Sequence, residues 1–343
     1  MPAEFTVGLS HDFVTADGAT SWGDIGLGAL TAAGVRWNFL PPDHGELDPE
    51  VLNGYDAVLF GAPAVTARSV SGEHPPLLLA RFGVGLDEVD LDACTQAGVG
   101  VTITPDGARR PVAAAALALI LAASHNLLAK DRIVREGRWA ERARLMGRGL
   151  AGRRVGVFGL GNVAIELFGL LAPFGTEHLA TDPLRTAEQA AELGVRLVSL
   201  PELMAQSDVV VITAALTPQT RHAVDAAMLE LVSPGTVLIN VARGAIVDTD
   251  ALVHALAHGR LGAAGLDVTD PEPLPSGHPL LGLPNVTLAP HSLAWTDEMA
   301  LGNGRSAIRS ILAVRDGRAP AYLANRDVLR HDRLKRLRRE EAS

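Results

Sequence analysis

The feature that most constrains the fold is an alternation that begins near residue 154. Short, nearly continuous apolar runs, VGVF (155–158), HLAT (178–181), VVVIT (209–213), TVLINV (236–241), AAGLDV (263–268) and NVTLA (285–289), are separated by helix-like stretches such as AIELFGLLAP, PELMAQS and TDALVHALAHG. A strand that is apolar on both faces needs cover on both faces, which is the situation of a parallel sheet between two layers of helices. Ser, Asp and Thr stand where helices need caps, and Gly where they end. This half is therefore expected to be a doubly wound α/β domain. A weaker alternation precedes it: FTVGLS, a helix-like stretch near 21–33, VRWNFL, DAVLFG, PLLLAR and GVGVTI. It predicts a smaller α/β lobe. A length of 343 residues agrees with two lobes, given a prior of about 150 residues per domain.

Composition removes several classes of function. The formal net charge is -9, from 39 acidic against 30 basic side chains, so no overall field draws in a phosphate backbone and no nucleic-acid partner is expected. The most apolar segment, PVAAAALALILAAS (111–124), falls short of the ~20 residues that cross a bilayer. It reads as a buried helix opened by Pro111 at its first turn, and no membrane partner is expected. The start, MPAEFTVGLSHDFV, has an acidic residue where a signal peptide wants basic ones. The one cysteine, Cys94, cannot form an internal disulfide and reads as a packed, inert thiol in a reducing compartment, the cytoplasm. The C-terminal RHDRLKRLRREEAS carries charges of both signs and reads as a solvated, frayed helix. No metal site is expected.

Three stretches contain Gly-x-Gly, at 26–28, 83–85 and 159–161. Only the last stands between a strand and an apolar-faced helix, in RRVGVFGLGNVAIELFGLL, with Ala164 at the third position. Gly159 would permit the tight turn, and Gly161 would let the backbone approach a pyrophosphate seated on the helix N-terminus, with Asn162 and Val163 in the contact set. Asp182, at the end of HLAT, stands where a carboxylate accepts hydrogen bonds from an adenosine ribose and repels a 2′-phosphate. NAD is favoured over NADP, with Arg185 as the counter-indication, and over a flavin. The fold class expected is α/β with two Rossmann-like or flavodoxin-like lobes, doubly wound parallel sheets and a cleft between them.

Four ionisable residues, Arg243, Asp267, Glu272 and His291, stand where predicted strands end, and ligands of doubly wound folds bind at that edge. Each has a plain alternative: Arg243 paired with Asp248, Asp267 capping a turn, Glu272 simply exposed, His291 an ordinary loop histidine. Arg243 follows an apolar run, and a buried guanidinium needs an anion.

Together, NVARGAIVDTDALVHALAHGRLGAAGLDVTDPEPLPSGHPLLGLPNVTLAPHS, the upstream GLGNVA, TDP, SDVVVITAALTPQTRHAV and SPGTVLIN, and, more loosely, LLLARFGVGLDEVDLDACTQAGVGVTITP resemble the D-isomer-specific 2-hydroxyacid dehydrogenases over roughly residues 78–298. The resemblance implies an NAD-dependent enzyme that interconverts a small D-2-hydroxyacid and its 2-oxoacid. His291 would exchange a proton with the substrate oxygen, a task suited to a side chain that titrates near neutrality. Glu272 would orient the ring and favour its charged form. Arg243 would clamp the substrate carboxylate or polarise its carbonyl through a planar fork that lysine lacks. Asp267 would hold the nicotinamide carboxamide, and Ala215, Leu216, Thr217, Val241, Ala242, Arg243 and His291 would complete the cofactor contacts.

On the substrate side the resemblance implies Arg81, the backbone of Val84 and Gly85, and Trp295, reached by cleft closure. It divides the chain into a discontinuous substrate-binding lobe, 1–104 with 293–343, and an NAD-binding lobe, 105–292, with a homodimer built through the latter and the Ala-rich helix as a candidate surface. No amino-acid-sensing module is expected past residue 325.

Departures from the family pattern are Ala114, where Glu is frequent, Ala215, where Pro is common, and the added cations Arg109 and Arg110, candidates for a distal anionic group of the substrate. Hydroxypyruvate, glyoxylate and 3-phosphoglycerate are all compatible substrates. Glu272 argues against a formate dehydrogenase, which carries an amide there. A phosphite-type oxyanion dehydrogenase and a non-catalytic, NADH-sensing protein of corepressor type remain as alternatives.

Overall fold

A computed structural model of the chain describes residues 5–338. Twelve strands form two sheets: β1 (Thr6–Leu9), β2 (Arg36–Phe39), β3 (Ala57–Phe60), β4 (Leu78–Arg81) and β5 (Gly100–Thr102), then β6 (Arg154–Phe158), β7 (Glu177–Thr181), β8 (Arg196–Leu197), β9 (Val209–Ile212), β10 (Val237–Asn240), β11 (Ala263–Leu266) and β12 (Val286–Leu288). Two compact units result, one made of the residues up to Ala108 together with those from Trp295 on, the other of Arg109–Ala294.

In the first unit the strand order is β2-β1-β3-β4-β5, all parallel, the flavodoxin-like doubly wound order. In the second it is β12-β11-β10-β9-β6-β7-β8, again all parallel. The chain winds from β6 outward to β8, returns to β9 and winds the other way, so the switch point lies between β6 and β9. Strands β3, β9, β10 and β11 are buried at every position, as strands covered on both faces must be. The short β8 is absent from the predicted strands. At two residues with the pattern exposed–intermediate it carries no apolar signal, and it exists as an edge strand because β7 offers a partner.

Two local expectations change. The Ala-rich helix spans Pro105–Ser124 and does not start at Pro111. Pro105 takes the first position, where a missing N–H costs nothing, and Pro111 sits one turn and a half inside. At 20 residues the helix is long and apolar enough to cross a bilayer by length and composition, but 56% of its apolar window is buried inside the protein, against β-strands and the helix Asn162–Leu171. It is a core helix. The chain then turns at Asn126 in the left-handed region (φ 54°) and continues as Leu127–Arg135.

The tail is not solvated where it is described. Val328, Leu334 and Leu337 join the first unit's core, and the Arg333 guanidinium donates to the carbonyls of Ala97, Gly98 and Pro75. Asn325 closes the same face of β5, accepting from Val101 N–H and donating to the Val99 carbonyl, both at 2.9 Å. Residues 339–343 of the charged tail lie outside the described residues.

Cys94 is fully buried, and burial, with the charge of Asp90 as the lesser cause, pushes its thiol up to about 12. The thiolate fraction near pH 8 is then about one part in 10⁴. Iodoacetamide should leave the native protein unlabelled and modify Cys94 only after unfolding in denaturant; stoichiometric labelling of native protein, read by mass spectrometry, would contradict this.

Candidate active site

Strands β10, β11 and β12 are neighbours in parallel register, so the chain leaves all three at one edge of the sheet. Asp267 follows β11 directly and is 6% exposed. Its carboxylate Oδ1 accepts from the N–H groups of Ser292 and Leu293, both at 3.1 Å, and its carbonyl accepts from His291 N–H at 2.7 Å. These bonds hold the loop after β12 with His291 at φ 54°, a left-handed backbone that histidine adopts more readily than most residues.

From there the ring meets Glu272 on the loop after β11, His291 Nδ1 to Glu272 Oε1 at 2.6 Å. The other carboxylate oxygen accepts from Thr269 N–H at 3.3 Å. The two side chains are 45% and 41% exposed, so solvent reaches the pair and its value lies in orientation rather than stability.

Arg243 lies three residues past β10 in extended backbone (φ -142°). It is half-buried, and its Nη1 donates to the Ala242 carbonyl at 2.6 Å. Partial burial and a carbonyl acceptor remove the argument that burial alone demands an anion at this position. Asp248 caps the helix Thr249–Ala257, accepting from Ala251 N–H at 3.0 Å. Behind Arg243, Gly244 is packed flush against the loop that carries Glu272: a Cβ there would lie 2.0 Å from the Thr269 carbonyl carbon and 2.5 Å from Asp270 N.

The glycine turn follows β6 at the switch point. Gly159 has φ 99°, and a Cβ on it would sit 2.6 Å from Ala214 Cα. Gly161, the N-cap of the helix Asn162–Leu171, meets nothing within 4 Å, and Ala164 is fully buried against the sheet. Asp182, past β7, accepts from the N–H groups of Leu160 and Leu184, both at 2.8 Å. Arg185 Nε donates to the Leu160 carbonyl. In the loop after β9, Thr220 Oγ1 donates to the Ala215 carbonyl and accepts from Thr217 N–H. Open space over Gly161, a helix N-terminus and a carboxylate beside the turn fit a dinucleotide.

Arg109 and Arg110 both face Glu166 of that helix, at 3.7 and 2.7 Å. Ala114 is exposed.

Thus Gly159, Gly161, Asn162, Val163, Asp182, Ala215, Leu216, Thr217, Val241, Ala242, Arg243, Asp267, Glu272 and His291 all lie at the carboxyl edge of one sheet. Arg81, Val84, Gly85 and Trp295 belong to the other unit. There Arg81 Nε donates to the Gly85 carbonyl, and its guanidinium lies 5.4 Å from the centroid of the Phe60 ring. Val84 is 44% exposed. Trp295 stacks obliquely on Trp22 at 4.5 Å between ring centroids, and Trp22 in turn on Phe82 at 5.2 Å.

Residue-level reading gave no role to Gly244 and Thr269, which lie inside the quoted motif, or to Trp22, which belongs to no recognisable spacing. It also missed Thr213, whose hydroxyl donates to the Gly159 carbonyl at 2.8 Å and anchors the turn; its place at the end of a strand beside the switch point was the available signal.

The description "D-isomer specific 2-hydroxyacid dehydrogenase, NAD binding domain" matches residues 117–292. The chain is 36% identical over 258 residues to a glyoxylate reductase of Thermococcus onnurineus, covering 74% of this chain and 77% of that protein. It is 36% identical over 264 residues to a D-3-phosphoglycerate dehydrogenase of Archaeoglobus fulgidus, covering 77% of this chain and 50% of that one. Among solved structures, the TT0316 protein of Thermus thermophilus superposes with a TM-score of 0.82 at 30% identity, over 93% of this chain and 100% of that one. D-2-hydroxyisocaproate dehydrogenase, at 22% identity, shares the fold with a TM-score of 0.82 over 94% and 100%.

The two glycines separate stability from ligand binding. Gly159→Ala should destabilise the protein by about 2 kcal/mol or more in urea unfolding, because left-handed backbone and a backbone clash coincide. Gly161→Ala should change stability by no more than about 0.5 kcal/mol and yet weaken dinucleotide binding in a fluorescence titration. Equal effects of the two on stability would count against the assignment.

Proposed function

The chain belongs to the D-isomer-specific 2-hydroxyacid dehydrogenase family and is an NAD-dependent oxidoreductase, and on that premise we propose that it interconverts a small D-2-hydroxyacid and its 2-oxoacid with His291, Glu272 and Arg243 as its catalytic residues. The single observation that supports this best is the 2.6 Å contact between His291 Nδ1 and Glu272 Oε1 at the carboxyl edge of the sheet. With Nδ1 engaged by a carboxylate, proton exchange falls to Nε2. In reduction Nε2 gives its proton to the carbonyl oxygen of the 2-oxoacid, and in oxidation it takes the proton of the hydroxyl group. NADH, when bound, supplies the hydride. Arg243 binds the substrate carboxylate or polarises its carbonyl, with donors spaced to match a carboxylate. Asp267, whose Oδ1 already fixes the His291 loop, has Oδ2 for the carboxamide. Asp182 selects NAD, since a carboxylate repels a 2′-phosphate.

Glyoxylate and hydroxypyruvate lead the substrate candidates. Arg109 and Arg110, the cations suggested for a distal anionic group of the substrate, both face Glu166.

A homodimer through the NAD-binding unit is also proposed, with its surface moved. The helix Pro105–Ser124 is largely interior, whereas the segment after it exposes Leu127 (57%), Val134 (55%), Trp139 (60%) and Met146 (85%), large apolar side chains that a second copy would cover. A reducing, cytoplasmic setting suits the buried Cys94.

A panel of 2-oxoacids offered with NADH and with NADPH tests the reading through loss of reduced-cofactor absorbance. His291→Ala should lower kcat by about 10²–10⁴-fold while NADH still binds. No turnover of any 2-oxoacid would favour the corepressor-like alternative, turnover of phosphite the oxyanion alternative, and a preference for NADPH would overturn the role of Asp182. Trp139→Glu should convert a dimer to a monomer in light scattering; a native monomer would reject the dimer.

A further inference from the structure

The strand Val237–Asn240 ends in a residue that its neighbours do not explain. Three aliphatic side chains are followed by Asn240, which is 1% exposed. A buried amide is destabilising unless its donor and acceptor are both used, and here both are. Oδ1 accepts from Ala242 N–H at 3.0 Å, and Nδ2 donates to the Arg243 carbonyl at 2.9 Å.

The place where this happens matters. The last ladder bond from β10 to β9 is a long one, Val241 N–H to the Ile212 carbonyl at 3.4 Å, and Arg243 lies two residues beyond it. From there the sheet no longer sets the direction of the chain, and the Asn240 side chain supplies the two bonds that the ladder would have made. On its other side, the Asn240 carbonyl accepts from Asp267 N–H at 3.0 Å, so the same residue joins the turn to the start of the loop that carries Glu272.

We propose that Asn240 is a positioning residue for the reaction: its buried amide fixes the turn 241–243 and with it the direction in which the Arg243 guanidinium leaves the sheet. The amide reaches only the backbone of that turn, so it acts through Arg243, and the inference rests on the reading of Arg243 as the substrate clamp. Asparagine suits the task because it offers one acceptor and one donor in a planar group. Aspartate could still accept from Ala242 N–H, but would set its second oxygen against the Arg243 carbonyl. Serine carries its donor and its acceptor on a single oxygen of a shorter side chain, so it lacks the separated, planar donor and acceptor of the amide.

A double-mutant cycle tests this, using Asn240→Ala, Arg243→Ala and the combination, on the full chain with the best 2-oxoacid and NADH. Asn240→Ala should raise KM for the 2-oxoacid and lower kcat/KM on the order of 10²-fold, the loss expected when a substrate-binding group moves by about 1 Å. The dissociation constant for NADH should stay within about twofold, and on the Arg243→Ala background the same substitution should cost no more than about threefold further. A purely structural amide would lower the melting temperature and leave KM, measured well below the transition, where it was. An equal loss on both backgrounds, or an unchanged KM in folded Asn240→Ala, overturns the proposal. Should Asn240→Ala not fold, Asn240→Ser, which keeps a polar group at this position, is read by the same criteria. If Arg243→Ala itself keeps native kcat/KM, the clamp reading falls and this inference with it; if Arg243→Ala is impaired and the two losses multiply, only the inference falls.

Discussion

The buried carboxylate of Asp267 ties the end of one strand to the loop beyond the next, and the candidate active site depends on that tie. Its side chain and carbonyl together take three backbone N–H groups of residues 291–293. Without them the left-handed backbone of His291 would have no support, and its ring would have no fixed approach to Glu272. A strained residue persists only where its surroundings over-determine it, and three bonds to one residue are such surroundings. The His291–Glu272 contact, half in solvent, is by contrast too exposed to stabilise the fold appreciably. Stability and chemistry are thus carried by different groups: Asp267 holds, while His291 and Glu272 are the pair proposed to react.

The same division holds at the glycine turn. Gly159 is required by the protein, since its backbone is left-handed and Ala214 leaves no room for a Cβ. Gly161 is required by nothing in the protein, because the space above it is open. An open glycine at a helix N-terminus is best explained by something that occupies the space when bound, which is how the NAD-binding character of the family meets the geometry of this chain. Gly244 adds a third case, a glycine that brings the Arg243 turn into backbone contact with the Glu272 loop.

Parallel topology makes these loops neighbours. Arg243, Glu272 and His291 are far apart in the chain, yet β10, β11 and β12 are adjacent and end at one edge. A two-way winding from β6 places the glycine turn at that same edge, where the strand order reverses. Chemistry assembled there draws on residues that no single segment could bring together.

The sequence alone determined eleven of the twelve strands, their parallel sense, the glycine turn and the placing of four ionisable residues at strand ends, because periodicity, capping and turn chemistry are local properties written in consecutive residues. Its long ordered motifs also determined the family. Tertiary structure decided what depends on distant partners. Two residues, Arg196 and Leu197, are a strand only because β7 lies beside them. The Ala-rich helix begins at Pro105 rather than Pro111, and the charged tail buries Leu334 and Leu337 under the first sheet. Arg109 and Arg110 turn to Glu166, and Trp22 meets Trp295, across separations that leave no period in the chain. Whether a polar residue such as Asn240 is a surface amide or a buried one with both groups engaged cannot be read from VLIN, since burial is a property of the packed neighbours and not of the residue itself.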